Sequence, residues 1–392
     1  MKKLLSILLS LVLCSIIAVS SISASGASTD SDKLPKENQL PIIEKIKEKA
    51  HFKKFIEMKS DKERDDYLGS LKTSELLTTI AEASDEYQKD GDFFALIPFA
   101  SHSQKIVDDL TVDKKISIIK NKDYSTYFKY FMIDIEDSYK KLPKYKGDSS
   151  KGDTKKYFAA LRDIIKDNNV DESLKIKALY AIHDFNKDDT SLLSDIVDSS
   201  ECPADLKGHA LKQLKDIDSG IAYSRAEKIV NSPLKYSKFE LYTSMVILDD
   251  VNNDSDAAVD GVMNVLTSLK SANELDNDSI NEIVWAFGKM KNEKSVAAVM
   301  NNRDLIGDDL VGLYVDMNYS TIENMLDTNN SRDNINMALN CIDVMPFKDF
   351  EKQLNKLLEN SKDSELVGKA NIVLDKVKKS DSTRNLRWDD YK

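Results

Sequence analysis

The sequence predicts an all-α protein built from stacked helical hairpins, an arrangement called an α-solenoid. Its 392 residues include only 12 glycines and 7 prolines, which disfavours turn-rich sandwiches and barrels and favours long helices. Apolar residues recur at helical spacing along most of the chain, as on the buried face of a helix. In the second half this helical pattern is itself repeated, about every 32 residues, which is typical of stacked repeats.

The chain is acidic, with a formal net charge of −11. General nucleic-acid binding requires a basic stripe, so we expect no nucleic-acid partner. At about 150 residues per domain, the length corresponds to two or three domains or to one long repeat array. With 41% hydrophobic residues, either arrangement can bury a sizeable core.

The N-terminus has the pattern of a secretory signal peptide. Lys2 and Lys3 precede an apolar run over residues 4–19, and small residues follow. This run is shorter than the roughly 20 residues that span a bilayer, and no basic stop-transfer cluster follows it. We therefore predict a leader over residues 1–27, cleaved after Ala24 or Ala27, and a secreted protein whose mature chain has no transmembrane segment.

Cys14 lies inside this leader and raises the alternative of a lipid anchor. In the lipobox of lipoproteins, the residue before the cysteine is Gly, Ala or Ser. Here Leu13 precedes Cys14, and the apolar run continues beyond it. We therefore expect a protein without this anchor. The next stretch, residues 28–39, is polar and without periodicity, which predicts a flexible lead-in.

Residues 40–143 are predicted to form an α-helical N-terminal region. Its segment from Tyr124 to Tyr139 is rich in aromatic residues at helical spacing, which favours a place in the core. A carbohydrate- or peptide-binding face is the alternative. Residues 144–156 are polar, aperiodic and contain two glycines, so we predict a linker or surface loop there.

Residues 157–378 are predicted to form the repeats. Apolar or small residues occur at offsets 0, 4, 5, 8 and 11 of each copy, for example at Leu174, Ala178, Leu179, Ile182 and Phe185, then at Leu206, Ala210, Leu211, Leu214 and Ile217. The anchors at offset 8 are Ile182, Leu214, Leu248, Phe287, Tyr314, Ile342 and Leu374. A second, shorter apolar pattern follows most copies, so each unit is a hairpin that must stack on its neighbours.

Two stretches resemble HEAT-type repeats: KIKALYAIHDFNKDDTSLLSDIV from Lys175 and NEIVWAFGKMKNEKSVAAVM from Asn281. The resemblance covers about residues 171–378. It implies a curved right-handed stack that is used for protein binding and has no shared catalytic residues. The leader and the frequent use of Lys, Asn, Asp, Ser and Ile predict a secreted protein of bacterial type. The Arg and Asp usual in the turn of such repeats are mostly absent, so tetratricopeptide and armadillo-like repeats remain alternatives.

Motifs for catalysis and cofactor binding are missing from the sequence. It contains no HExxH, CxxC, GxSxG, GxGxxG or Walker-type motif, so we assign no catalytic residue and no cofactor. The four histidines are scattered without the i, i+4 pair of a common zinc site; they are His51, His102, His183 and His209.

One constellation resembles the calcium loops of dockerins and EF-hands. Asp184, Asn186, Asp188 and Asp195 occupy positions 1, 3, 5 and 12 of such a loop, and a second turn from Asp250 to Asp260 comes close to the same spacing. Both turns lack the glycine that these loops use at position 6. Because Asp and Asn also cap helices and form turns, helix caps are the favoured interpretation and a calcium site is the alternative.

The C-terminal stretch, residues 379–392, lies beyond the last repeat and contains Trp388 and Tyr391. We predict a cap that covers the end of the stack, or else an exposed tail. Cys202 and Cys341 lie about four repeats apart, too far for a disulfide, and the apolar surroundings of Cys341 predict a buried free thiol.

These observations predict a secreted scaffold without catalytic activity that binds a protein or cell-envelope partner through the solenoid surface. One alternative is an enzyme with its site in the N-terminal helical region, for which paired carboxylates in a deep pocket would be required. The other is a calcium-dependent adhesive or assembly module that uses the Asp-rich turns.

Overall fold

A computed structural model describes residues 49–140, 151–251 and 255–384. Across these ranges the chain forms 22 α-helices, four short 3-10 helices and no strand, which confirms the all-α prediction. The predicted leader and lead-in lie outside the described residues. None of the helices within those ranges combines the length and apolar character needed to cross a bilayer.

The chain divides into two compact units, the first ending at Phe185 and the second beginning at Asn186. The boundary therefore lies beyond residues 144–156, where the polar composition predicts a linker. Helix α8 begins at Lys151, inside that stretch, because the apolar residues Tyr157 and Leu161 continue its pattern and are buried. Residues 144–150 lie outside the described part.

The first unit contains nine described α-helices. They are α1 (Ala50–Ile56), α2 (Asp61–Ser70), α3 (Thr73–Asp90), α4 (Ile97–Ala100), α5 (Gln104–Asp109), α6 (Val112–Lys120), α7 (Thr126–Lys140), α8 (Lys151–Lys166) and α9 (Glu172–Ala181).

Helix α7 is central to the first unit, since α3, α5, α6 and α9 all pack on it. Its aromatic residues fill the core: Tyr127 and Phe131 are at most 5% exposed and Phe128 is fully buried. The structure thus confirms the core interpretation of this aromatic segment, because the helical spacing places most of these rings on the inward side.

The second unit contains thirteen described α-helices. They are α10 (Thr190–Asp198), α11 (Ala204–Ile217), α12 (Ser219–Val230), α13 (Lys238–Val251), α14 (Ser255–Ser271), α15 (Asn277–Lys289), α16 (Glu293–Asn301), α17 (Arg303–Ile306), α18 (Asp308–Met317), α19 (Tyr319–Met325), α20 (Arg332–Val344), α21 (Glu351–Asn360) and α22 (Ser364–Lys379).

Helices of the second unit pack in two series. In the first series, α11, α13, α15, α18, α20 and α22 each contact the next. In the second series, α12, α14, α16 and α19 do the same. Each helix of the first series carries one predicted anchor that is at most 5% exposed: Leu214, Leu248, Phe287, Tyr314, Ile342 and Leu374. The sequence period therefore corresponds to one step along this series.

Helix α12 is an element that the sequence analysis did not identify. Its buried face consists of Ala222, Ala226, Ile229 and Val230. Two of these four residues are alanines, whose small side chains make an apolar face less evident in a sequence than Leu, Ile or Val. Their helical spacing was nevertheless present in the sequence.

Ion pairs join neighbouring helices within each series of the second unit. Lys215 on α11 contacts Asp250 on α13 at 2.6 Å, and Lys294 on α16 contacts Asp260 on α14 at 2.6 Å. The four side chains are 26% to 68% exposed, and such pairs contribute about 0–1 kcal/mol each. They therefore help to fix the register of helices that apolar burial holds together.

The described part of the C-terminal stretch folds back onto the second unit. Asp381 pairs with Lys348 at 3.6 Å, and the Arg384 guanidinium lies 3.7 Å from the centre of the Tyr319 ring. Tyr319 in turn stacks on Phe350 at 4.4 Å. These contacts are what a cap would make, whereas Trp388 and Tyr391 lie outside the described residues.

We predict that Ile342→Ala destabilises the second unit by about 2–5 kcal/mol. Ile342 is fully buried on α20, so its truncation leaves a cavity at an anchor position. The measurement is urea unfolding followed by the fluorescence of Trp285, which lies in the same unit.

Ile372→Ala is the matched control, because Ile372 lies in the middle of α22 and is 62% exposed. We expect it to change the free energy of unfolding by less than about 0.5 kcal/mol. Equal losses from the two variants would contradict the assignment of anchor positions.

Candidate functional site

A groove in the second unit is the candidate binding site. It lies between α13 and α15, beside the C-terminal half of α14, and has a volume of about 220 Å³. Its lining is mostly apolar and comprises Phe239, Leu241, Tyr242, Met245, Val265, Leu269 and Ile283, with Lys238, Asp278, Ser279 and Glu282 as the polar members.

The wall of the groove at Phe239 depends on a close approach between helices. A side chain at Gly208 on α11 would overlap the Phe239 ring, so the absence of a Cβ allows the ring to pack against that helix. The imidazole of His209 lies 4.6 Å from the same ring, centre to centre. Burial, aided by the charge of Lys212, lowers the pKa of His209 to about 4.

One end of the groove is fixed by the cap of α15. The Asp276 carboxylate accepts hydrogen bonds from the backbone N–H of Ser279 at 2.9 Å and from its hydroxyl at 2.7 Å. Lys238 also pairs with this carboxylate. Lys238 and the cap together hold the pKa of Asp276 well below its usual range. The positive charge of Lys238 is therefore balanced by Asp276.

Two further carboxylates at the rim have no counterion among the described residues. Asp278 and Glu282 are four residues apart on α15, and within the described residues neither makes an ion pair or hydrogen bond. Burial raises the pKa of Glu282, and the nearby charge of Asp278 adds to the rise. Burial and Glu282 likewise raise the pKa of Tyr242 across the groove.

The groove is small, and two of its polar side chains are engaged in local contacts. Pockets for cofactors and drug-sized ligands measure about 300–1,000 Å³, larger than the groove. The polar groups also do not form a nucleophile and base pair, since Lys238 is engaged by Asp276 and the Ser279 hydroxyl donates to the cap. The groove therefore combines an apolar recess with the carboxylates of Asp278 and Glu282, which no cation balances among the described residues.

The side chains predicted as calcium ligands in the first Asp-rich turn make local ion pairs and hydrogen bonds. Asp184 pairs with Arg162 at 2.8 Å, and Asn186 accepts a hydrogen bond from the backbone N–H of Asp188 at 2.9 Å. Asp195 contacts the hydroxyl of Ser191 at 3.5 Å, one turn earlier on α10. Over the described ranges, no group of three or more His, Cys, Asp or Glu side chains is placed to hold a metal ion.

The second Asp-rich turn is only partly described, because Asn252 and Asp254 lie outside the described residues. Asp250 pairs with Lys215 and Asp260 with Lys294, so these two carboxylates bind lysines on neighbouring helices. Asp256 lies in the first turn of α14, where a negative charge favours the helix.

The remaining histidines lie apart from the groove, in the first unit. His102 contacts Asp65 at 2.8 Å, and His183 contacts Asp137. The ring of His51 lies 3.5 Å from the Tyr67 hydroxyl. Each histidine thus has a different local partner.

Carboxylates on α7 bear on the enzyme alternative. Lys115 donates to Glu136 at 2.7 Å and to the carbonyl of Val107 at 2.9 Å, with the Lys115 and Glu136 side chains 9% and 4% exposed. Asp134 pairs with Lys177. The Glu136 and Asp134 carboxylates are therefore each matched with a lysine. Glu82 on α3 is fully buried as well, and its carboxylate accepts a hydrogen bond from the backbone N–H of Phe52 at 2.7 Å.

Both cysteines of the second unit are free thiols. Cys341 is buried on α20, as predicted, and burial raises the pKa of its thiol to about 12. Such a group remains protonated and is a poor nucleophile at neutral pH.

No residue of the groove was singled out from the sequence as a site residue. Two signals were present. The interval between the anchors Leu248 and Phe287, on the two helices that form the groove, is 39 residues and is the longest in the series. Asp278 and Glu282 also place like charges at the unfavourable i, i+4 spacing.

Comparisons with family models, curated proteins and solved structures yielded no match.

We predict that Lys115→Met destabilises the first unit by about 3–5 kcal/mol, because it removes one partner of the buried ion pair with Glu136. Thermal or urea unfolding followed by circular dichroism measures the loss. The double variant Lys115→Met/Glu136→Leu should recover most of it.

Lys156→Met is the control for that pair, since Lys156 and its partner Asp113 are 59% and 73% exposed. Its cost should stay near 0–1 kcal/mol. A Lys115→Met variant as stable as this control would argue against a structural role for the buried pair.

We predict that His209 makes the stability of the second unit depend on pH. Its folded pKa of about 4 lies below the unfolded value of about 6.5, so the unfolded state binds the additional proton. Stability is then fully present above about pH 6.5 and is lost as the pH falls from there towards 4, by up to roughly 1.4 kcal/mol per pH unit.

Urea unfolding between about pH 7.5 and pH 4.5, read by tryptophan fluorescence, measures this dependence. His209→Gln should remove this part of the slope, whereas His51→Gln in the first unit should leave it in place. Identical slopes in the wild type and His209→Gln would show that folding does not lower the pKa of His209.

Proposed function

We propose that this chain is a secreted, non-catalytic helical-repeat protein that binds a protein or cell-envelope partner through the surface of its second unit. The observation that carries the proposal is the groove between α13 and α15, an apolar recess on a regular series of packed helices. In this proposal the two series belong to HEAT-like repeats of an α-solenoid, a type of structure used for protein binding.

The construction of the groove supports recognition by a rigid surface. Its floor residues Leu241 and Met245 belong to a helix that packs on α11, α12, α14 and α15. A recess held from several sides keeps its shape before binding, which reduces the entropy that association costs. Apolar recesses of this kind accept the anchor residues that dominate many protein interfaces.

The partner can be sought with the tagged chain from Ser28 onward, incubated with envelope and culture-supernatant fractions in calcium and in EDTA. Benzoylphenylalanine introduced at Tyr242, in the groove, would crosslink the partner for identification by mass spectrometry. The same photoreactive residue at Tyr180, which is 37% exposed in the first unit, serves as the control.

We expect one specific protein to be retained in EDTA and to crosslink from Tyr242 but not from Tyr180. Partners lost in EDTA would instead favour a calcium-dependent module. Crosslinks from Tyr180 alone would move the binding surface to the first unit, and turnover of a substrate by the purified chain would refute the non-catalytic scaffold.

A further inference from the structure

The groove joins an apolar recess to two carboxylates that lack a counterion. We propose that it binds one large apolar side chain of a polypeptide partner together with a Lys or Arg next to it in the partner's sequence. This inference rests on the binding function proposed above and adds the chemistry of the partner.

The size of the recess points to a single side chain. Its volume of about 220 Å³ lies below the range of about 300–1,000 Å³ for pockets that enclose whole ligands. Leu241, Met245, Val265 and Ile283 are each at most 3% exposed around it. A Leu, Met or Phe side chain from a partner would fill this recess and lose contact with water, which is the main favourable contribution to association.

The charges at the rim point to a basic neighbour of that side chain. Asp276 is already matched by Lys238, whereas Asp278 and Glu282 repel each other across one turn of α15. Lys212 lies near His209 on α11 but forms no ion pair with either carboxylate within the described residues. The rim therefore keeps two unbalanced negative charges.

Part of this arrangement works against the stability of the chain on its own, although Asp278 also lies in the first turn of α15, where a negative charge favours the helix. Like charges at i, i+4 destabilise a helix, and burial of the half-exposed Glu282 carboxylate disfavours its charged form. A cation supplied by a partner would relieve both effects at once. Placing unfavourable groups where a ligand compensates them is characteristic of functional sites.

Short synthetic peptides test this chemistry by fluorescence anisotropy with the full mature chain. The probe set has a central Leu, Met or Phe flanked by Lys or Arg. Two comparison sets change one feature each: the flanking residues become Glu or Ser, or the central residue becomes Ser. We expect binding by the basic apolar set alone, and weaker binding at higher ionic strength.

Asp278→Asn/Glu282→Gln is the decisive variant. It should weaken binding of the basic apolar peptides by about tenfold or more. The free energy of unfolding should stay nearly unchanged, because removal of the repulsion offsets the loss of the favourable charge of Asp278 in the first turn of α15. A merely structural role for these carboxylates would instead lower the stability. Glu359→Gln/Asp375→Asn makes the same change of charge at two exposed acidic residues on α21 and α22 and should leave binding unchanged.

Several outcomes would overturn the inference. These are equal binding of acidic and basic peptides, unchanged binding by the Asp278→Asn/Glu282→Gln variant, or no binding of any peptide up to about 1 mM. A free hydrophobic amine, phenethylamine, that bound as tightly as the peptides would place a small ligand in the groove instead.

The result is distinguishable from failure of the proposed function. A protein partner that the wild type and the Asp278→Asn/Glu282→Gln variant capture equally would preserve the scaffold and refute only the role of the rim. A chain that captures no protein partner would refute the scaffold itself, whatever the peptides do.

Discussion

Every helix of the first series in the second unit depends on its neighbour to cover an apolar face. The anchors Leu214, Phe287 and Ile342 are fully buried between successive helices, and leaving one such side chain exposed would cost about 1.5–3 kcal/mol. A single hairpin cannot bury both of its faces, so each hairpin is stable only when it is stacked on its neighbours. This constraint explains the repeat in the sequence. Beyond the last helix, Asp381 and Arg384 return to contact Lys348 and Tyr319 of the second unit.

The polar side chains are organised around that stacking. Asp218, Asn292 and Asp363 accept hydrogen bonds from the first backbone N–H groups of α12, α16 and α22, which otherwise lack partners at a helix start. Other acidic residues pair with lysines on a neighbouring helix of the same series. Acidic and amide side chains at these helix ends therefore serve as caps or as partners in interhelical pairs.

The rim of the groove differs from the rest of the second unit in the use of its acidic residues. Asp276 serves both as a cap and as the partner of Lys238, yet Asp278 and Glu282 two and six residues later serve neither purpose. The groove also lies between the two helices whose anchors, Leu248 and Phe287, are 39 residues apart, against 27 to 34 elsewhere. The longer step contains α14, whose residues Val265 and Leu269 line one side of the recess.

The sequence by itself determined the helices, the period and the buried faces, because all three follow from the spacing of apolar residues along one helix. It thereby identified the aromatic core at Phe128 and the anchor at Tyr314. It placed the linker at residues 144–156, but polar composition cannot separate a loop from the exposed first turns of a helix such as α8. Only the tertiary structure decided where the units divide, and that Phe239, Leu269 and Glu282 surround one recess. These residues lie far apart in the chain, and their meeting depends on how three helices pack rather than on any local pattern.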